Sequence, residues 1–171
     1  MARLSELYGR LLDALVVAAC VLLLFMTFMI GADVVSRNLG GGGVSVSNEL
    51  SEDILYLMTL LAAPWLLRQG QHIRVDIILR ALPLRAAWLL EWLGDIVGLF
   101  CCLYFVWYGC FITIASYSAG SISIKTLVTP EWWTLAPLPF GFALLALEFI
   151  FRMHRLASAE VGLREDAVSA A

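Results

Sequence analysis

The side chains with chemical potential cluster at the ends of apolar runs. Glu49, Glu52 and Asp53 open one such run, and His72, Arg74 and Asp76 follow its close. A histidine and a carboxylate at i,i+4 share a helical face and can hydrogen-bond. His72 and Asp76 therefore form either a polar clamp or a solvated hinge. The three acids suit a helix N-terminus, where unpaired N–H groups and the macrodipole favour negative charge; the sharper alternative buries one of them against a partner subunit. Asp33 and Arg37, also four apart, are placed to pair, and Glu148 has Arg152 at the same spacing. No catalytic constellation assembles from these groups. His72 and His154 both lie outside the apolar runs, so no histidine pair faces across a span to hold a haem. Every acid lies near a predicted helix end, Glu148 being the deepest, whereas a proton-coupled carrier needs a carboxylate near mid-membrane. Cys20, Cys101, Cys102 and Cys110 lack metal-ligand spacing and read as small core residues. Neither an enzyme nor a cofactor is expected.

The elements that must position these groups are membrane helices. The chain has 171 residues, is 61% hydrophobic and 15% charged, and has a mean hydropathy of +0.88. Soluble domains are nearer about 25% charged. The composition is that of an all-α integral membrane protein, and a net charge of −3 without a basic block argues against nucleic acid as a partner.

One membrane domain is expected over 1–171. Residues 1–13 mix Arg3, Arg10, Glu6 and Asp13 with Leu4, Leu7, Leu11 and Leu12, which predicts an amphipathic lead-in on the membrane surface. Ala14–Ala32 is uncharged for 19 residues, long enough to cross about 30 Å of hydrocarbon. No cleavage pattern follows, so an uncleaved first span over about 14–36 is expected. Gly40–Gly43 form a flexible connection; no lysine follows them as a phosphate loop would require. The second span covers about 48–68, with Pro64 bending its last turn. The Gln69-Gly70-Gln71 hinge then leads to a short arginine-bearing amphipathic helix over about 73–82, too short to span and suited to the interfacial plane. Pro83 ends it.

The third span covers about 86–117, with Trp88 and Trp92 as an interfacial belt and a GxxxG pair at Gly94 and Gly98. Its uncharged stretch exceeds one crossing, which implies tilt or extension beyond the bilayer. A Ser/Gly loop carrying Lys125 is expected from Ser116 to Val128. Thr129 as N-cap, Pro130 and Glu131 start the fourth span, about 130–151, whose first turns Pro137 and Pro139 loosen. The tail, 156–171, reads as solvent-exposed. Nine of the eleven Lys and Arg residues fall in the two terminal segments and the connection between spans two and three. The positive-inside rule places both termini and the His72–Asp76 stretch in the cytoplasm.

Asn48-Glu49, then Gln71-His72-Ile73-Arg74-Val75-Asp76, then a Pro-terminated short helix resemble the DctQ-like small membrane subunit of tripartite ATP-independent periplasmic (TRAP) transporters. Arg37 and the Pro130–Gly141 run, with Pro-Glu-Trp-Trp and Pro-Leu-Pro-Phe-Gly, support the resemblance, which covers the whole four-helix layout. Ala62 and Glu52 depart from it, standing where glycine and a basic residue are common. The resemblance implies a multi-pass subunit in a bacterial inner membrane, without cofactor. Its partners would be membrane lipid, a large membrane subunit that carries the substrate and sodium sites, and a periplasmic substrate-binding protein that captures an organic acid. The small subunit would brace the large one and help receive the binding protein, with Arg37, Asn48, Glu49, His72, Arg74 and Asp76 as interface candidates. The competing reading is an autonomous dimeric carrier coupled through Glu148 or Glu49.

Overall fold

Four apolar stretches become four long helices in the computed structural model, which describes residues 2–43, 46–69, 84–124 and 128–158. Helix α1 spans Ala2–Asn38, α2 Ser47–Arg68 and α3 Leu84–Ala119. Strands β1 (Ile122–Ile124) and β2 (Val128–Pro130) follow, then a short α4 (Glu131–Leu135) and α5 (Pro137–Ser158). The four long helices are each apolar and long enough to cross a membrane. At 1.5 Å per residue, α1 and α3 reach about 55 Å, well beyond the hydrocarbon thickness, while α2 and α5 reach about 33 Å.

The helices pack in the order α1, α2, α5, α3. The shorter pair is central, and the longer pair flanks it. Between α2, α3 and α5 the core consists of Leu67, Cys102, Leu145 and Ala146, with Phe105 of α3 stacked on Phe142 of α5 at 4.6 Å between ring centroids. A second cluster joins α1 to α5 through Tyr8, Leu12 and Leu144. The outer faces of α1 and α3 leave large apolar side chains exposed, among them Phe28, Phe100, Trp107 and Ile114. Such faces are stable against lipid or a membrane partner, where apolar exposure carries no penalty.

Close approach of α3 to α5 depends on two glycines. A methyl group at Gly98 would lie 2.5 Å from Phe149 Cζ, and one at Gly109 2.6 Å from Leu138 Cδ2. Gly94 has nothing within 4 Å, so the GxxxG pair contributes one contact instead of two. Gly98, Cys102 and Gly109 share one helical face, and it is this face that meets α5.

Several local expectations need correction. The predicted surface lead-in is continuous with the first span, because its apolar groups find core positions. Leu12 is fully buried, and the Tyr8 hydroxyl donates to the Leu144 carbonyl at 2.7 Å. The predicted Ser/Gly loop is instead an antiparallel hairpin pairing Ile122 with Pro130 and Ile124 with Val128; β-branched residues favour this extended pairing. Pro130, not Thr129, occupies the N-cap position. The helix then breaks at Ala136 and restarts at Pro137, as the two prolines predict, and α5 continues past Phe151 to Ser158. Of the four cysteines only Cys102 is buried; Cys20, Cys101 and Cys110 face outward. The predicted interfacial helix, 73–82, and the tail from 159 lie outside the described residues.

Candidate interface and ion-pair network

At the end of the row where α1 begins and α5 closes, charged side chains are packed between helices. Glu148 of α5 is fully buried. Arg155, two turns later on the same face, donates from Nη2 to Glu148 Oε1 at 2.6 Å. Arg68, the last residue of α2, brings Nη1 to 4.0 Å from Glu148 Oε2. One carboxylate thus faces two guanidinium groups from two helices. The spacing of Glu148 and Arg152 predicts their pairing, but Arg152 reaches across to Asp95 of α3, 3.3 Å away. The physical reason is position: Asp95 is itself buried on the face of α3 that meets α5, and an arginine stem is long enough to reach it.

Helix α1 is tied to the same end. Trp65 Nε1 donates to Asp13 Oδ1 at 2.9 Å, and Tyr8 stacks obliquely on Phe151 with centroids 5.4 Å apart. Gly9 makes room for Arg68, since a methyl group there would lie 2.9 Å from Arg68 Nη2. Removing charges from water is expensive unless each is matched, and one broken partner exposes the whole penalty. Paired by charge, with Glu148 Oε2, Arg68 Nη1 and Asp95 Oδ2 buried beyond hydrogen-bond range of a partner, these groups link α5 to α2 and α3.

The opposite end holds a second, smaller clamp. Asp33 lies in the closing turns of α1, where the macrodipole disfavours a negative charge, and Arg37 offsets it through a 3.0 Å Nε–Oδ2 contact. Their i,i+4 spacing makes this pair legible in the sequence. The chain then turns back over the pair. Gly40, Gly42 and Gly43 all have φ near +78°, and a methyl group at Gly43 would meet Arg37 Cγ at 2.7 Å and Asp33 Oδ1 at 3.0 Å. The glycines supply both the left-handed backbone and the clearance.

Among the interface candidates, Arg37 is paired to Asp33 with its side chain 54% exposed. Asn48 is exposed, and Glu49 half-buried, in the first turn of α2. Val46 holds the N-cap position with no side-chain cap, so Glu49 is the charge that complements that helix end. His72, Arg74 and Asp76, with the proposed His72–Asp76 clamp, lie outside the described residues. At this end Ser116 donates to Glu131 at 3.3 Å, while Tyr117 and Trp132 meet edge to face, joining the close of α3 to α4. Sequence reasoning misses Asp95 as the partner of Arg152, and Arg155 and Arg68 as the partners of Glu148. The signals were an arginine closing the apolar run of α2 and an acid, Asp95, well inside the helix that starts at Leu84.

Among the described residues, no group of three or more His, Cys, Asp or Glu side chains is placed to hold a metal ion. The model of the family described as "Tripartite ATP-independent periplasmic transporters, DctQ component" matches residues 26–159, well over half the chain. The chain belongs to the DctQ family. No curated protein matches it. As a DctQ component it is the small membrane subunit of a TRAP transporter, a transport part and not a member of an enzyme family. Membership implies partnership with a large membrane subunit and a substrate-binding protein. The match begins inside the first span and takes in both ion-pair clusters at their acidic residues Asp33, Asp95 and Glu148.

Proposed function

We propose that this DctQ component braces the large TRAP subunit and helps seat the periplasmic binding protein during ion-gradient-driven uptake of an organic acid, with sodium as the coupling ion. The observation that carries the bracing role is the use made of the buried acids. Glu148, Asp95 and Asp33 are each held by an arginine, and two contacts, Asp95–Arg152 and the 4.0 Å approach of Arg68 to Glu148, cross between helices that must stay in register. Groups so matched act as struts, whereas a transport pathway needs polar groups that can exchange partners with a passing ion.

The proposal places the chain in a bacterial inner membrane as one four-helix domain with both termini cytoplasmic, on the distribution of Lys and Arg. Arg37, Asn48 and Glu49 then face the periplasmic side and His72, Arg74 and Asp76 the cytoplasm, and Glu49 and His72 contact the large subunit from the two sides. The exposed apolar faces of α1 and α3 supply the area for that partner and for lipid.

The test is substrate binding by the separated subunits. Organic acids should bind the intact complex and the binding protein, and leave the isolated small subunit unliganded in calorimetry. Micromolar binding to the small subunit alone would replace the brace with an autonomous carrier.

A further inference from the structure

A polar cavity lies between α1 and α2, bordered by Arg68, which also approaches Glu148, and by the Trp65–Asp13 pair. Glu6, Gly9, Arg10 and Asp13 occupy one helical face of α1, and Trp65, Arg68 and Gln69 the facing surface of α2. Together they enclose an open cavity of about 310 Å³. Two arginines and two carboxylates line it, so it is formally neutral yet strongly divided in charge. Its depth is set by the sequence: the uncharged run of α1 begins at Ala14, immediately after Asp13. The cavity therefore stands within about two helical turns of the hydrocarbon edge, in the head-group layer. Trp65 at its rim is the residue type favoured at that depth. Below it on the same face of α1, inside the uncharged run, Val17 and Val21 are 63% and 59% exposed.

We propose that this cavity binds the head group of a zwitterionic phospholipid with a primary amine. The phosphodiester lies toward Arg10 and Arg68, the ammonium toward Glu6 and Asp13, and the acyl chains run along Val17 and Val21. Guanidinium groups pair with phosphate oxygens through charge-assisted hydrogen bonds. An ammonium group has three N–H donors for the carboxylates, whereas a trimethylated amine has none. An anionic lipid would gain the arginines but leave its surplus charge beside Glu6 and Asp13. A free aminophosphate shares the head-group chemistry but leaves Val17 and Val21 uncovered. Gly9 keeps the floor open, because a side chain there would push Arg68 out of place.

The experiment is native mass spectrometry of the full chain released from micelles containing equal amounts of phosphatidylethanolamine, phosphatidylcholine and phosphatidylglycerol with identical acyl chains. Phosphatidylethanolamine should be retained at least fivefold over either competitor. Arg10→Gln and Glu6→Gln, both at exposed positions of α1, should each cut that retention at least threefold while thermal unfolding stays unchanged. Adding soluble glycerophosphoethanolamine in equal amount should displace little lipid. Equal retention of the three lipids, a preference for phosphatidylglycerol, or unaltered retention in both variants would overturn the site. Full displacement by the soluble head group would overturn the lipid assignment.

Discussion

Glu148 and Arg155 stand seven residues apart on α5, and their side chains meet at 2.6 Å, the acid sealed from solvent and the arginine 47% exposed. The acid is fixed in the core while its partner's head reaches water, an arrangement that suits a strut anchored at one end. Glu148→Ala should lower the stability of the purified protein by about 3 kcal/mol, because Arg155 and Arg68 lose the charge they share. Glu148→Gln keeps the shape and should cost about 1–3 kcal/mol. Thermal unfolding in detergent reads both, and transport should fall only as folded protein falls. A fully stable Glu148→Gln variant without transport would assign Glu148 to ion coupling instead.

Asp95 and Arg152 form the corresponding link between α3 and α5. Asp95→Asn and Arg152→Gln should each destabilise, and the double variant should be less damaged than the sum. The coupling should fall within the range of about 0.6–1.7 kcal/mol known for polar contacts between membrane helices. Strict additivity in a double-mutant cycle of unfolding would show that the two side chains act separately.

Gly98 and Gly94 offer a controlled comparison on one helix. Gly98→Ala should cost about 1 kcal/mol by pressing on the Phe149 ring, and Gly98→Leu about 3 kcal/mol. Gly94→Ala, with open space around it, should stay within about 0.5 kcal/mol of the parent. Equal effects at both positions would show that α3 and α5 do not meet through this face.

Gly43→Ala should be destabilising by about 1–2 kcal/mol for the left-handed backbone alone, with a further loss from collision with Arg37. If the clamp matters for docking, association with the binding protein should weaken in this variant more than insertion does. Surface plasmon resonance on the reconstituted complex separates the two effects; unchanged binding kinetics would remove the clamp from the docking surface.

Much of this architecture was legible in the sequence because membrane spans depend on length and polarity, both local properties. The Asp33–Arg37 pair was legible for a similar reason, being confined to one turn of one helix. The helix break ahead of Pro137 followed from proline geometry alone. What was hidden depends on tertiary approach. Glu148 had two arginines within reach on α5, and helical spacing favoured Arg152; only the position of Asp95 on α3 shows why Arg152 turns away and Arg155 takes its place. Gly109 lacks a partner at GxxxG spacing, yet a methyl group there would lie about as close to Leu138 as one at Gly98 to Phe149. The Ile122-Ser123-Ile124 alternation is only three residues long inside a serine- and glycine-bearing stretch, so its pairing with Val128–Pro130 is a tertiary feature. Leu12 belongs to a stripe that reads as surface-lying, because nothing local says that α5 will offer it a buried seat beside Tyr8.

The central claim is that this chain is a brace held against a larger membrane partner. The most direct measurement is quantitative co-purification of tagged protein from native membranes, with mass spectrometry of what accompanies it, for the parent and for Glu49→Ala and His72→Ala. A larger multi-span protein should appear in near-equal amount with the parent. It should be depleted in both variants, by an amount consistent with about 0.6–2 kcal/mol per contact, while their insertion is unchanged. A stable homodimer without any such companion, or co-purification indifferent to both substitutions, would contradict the account.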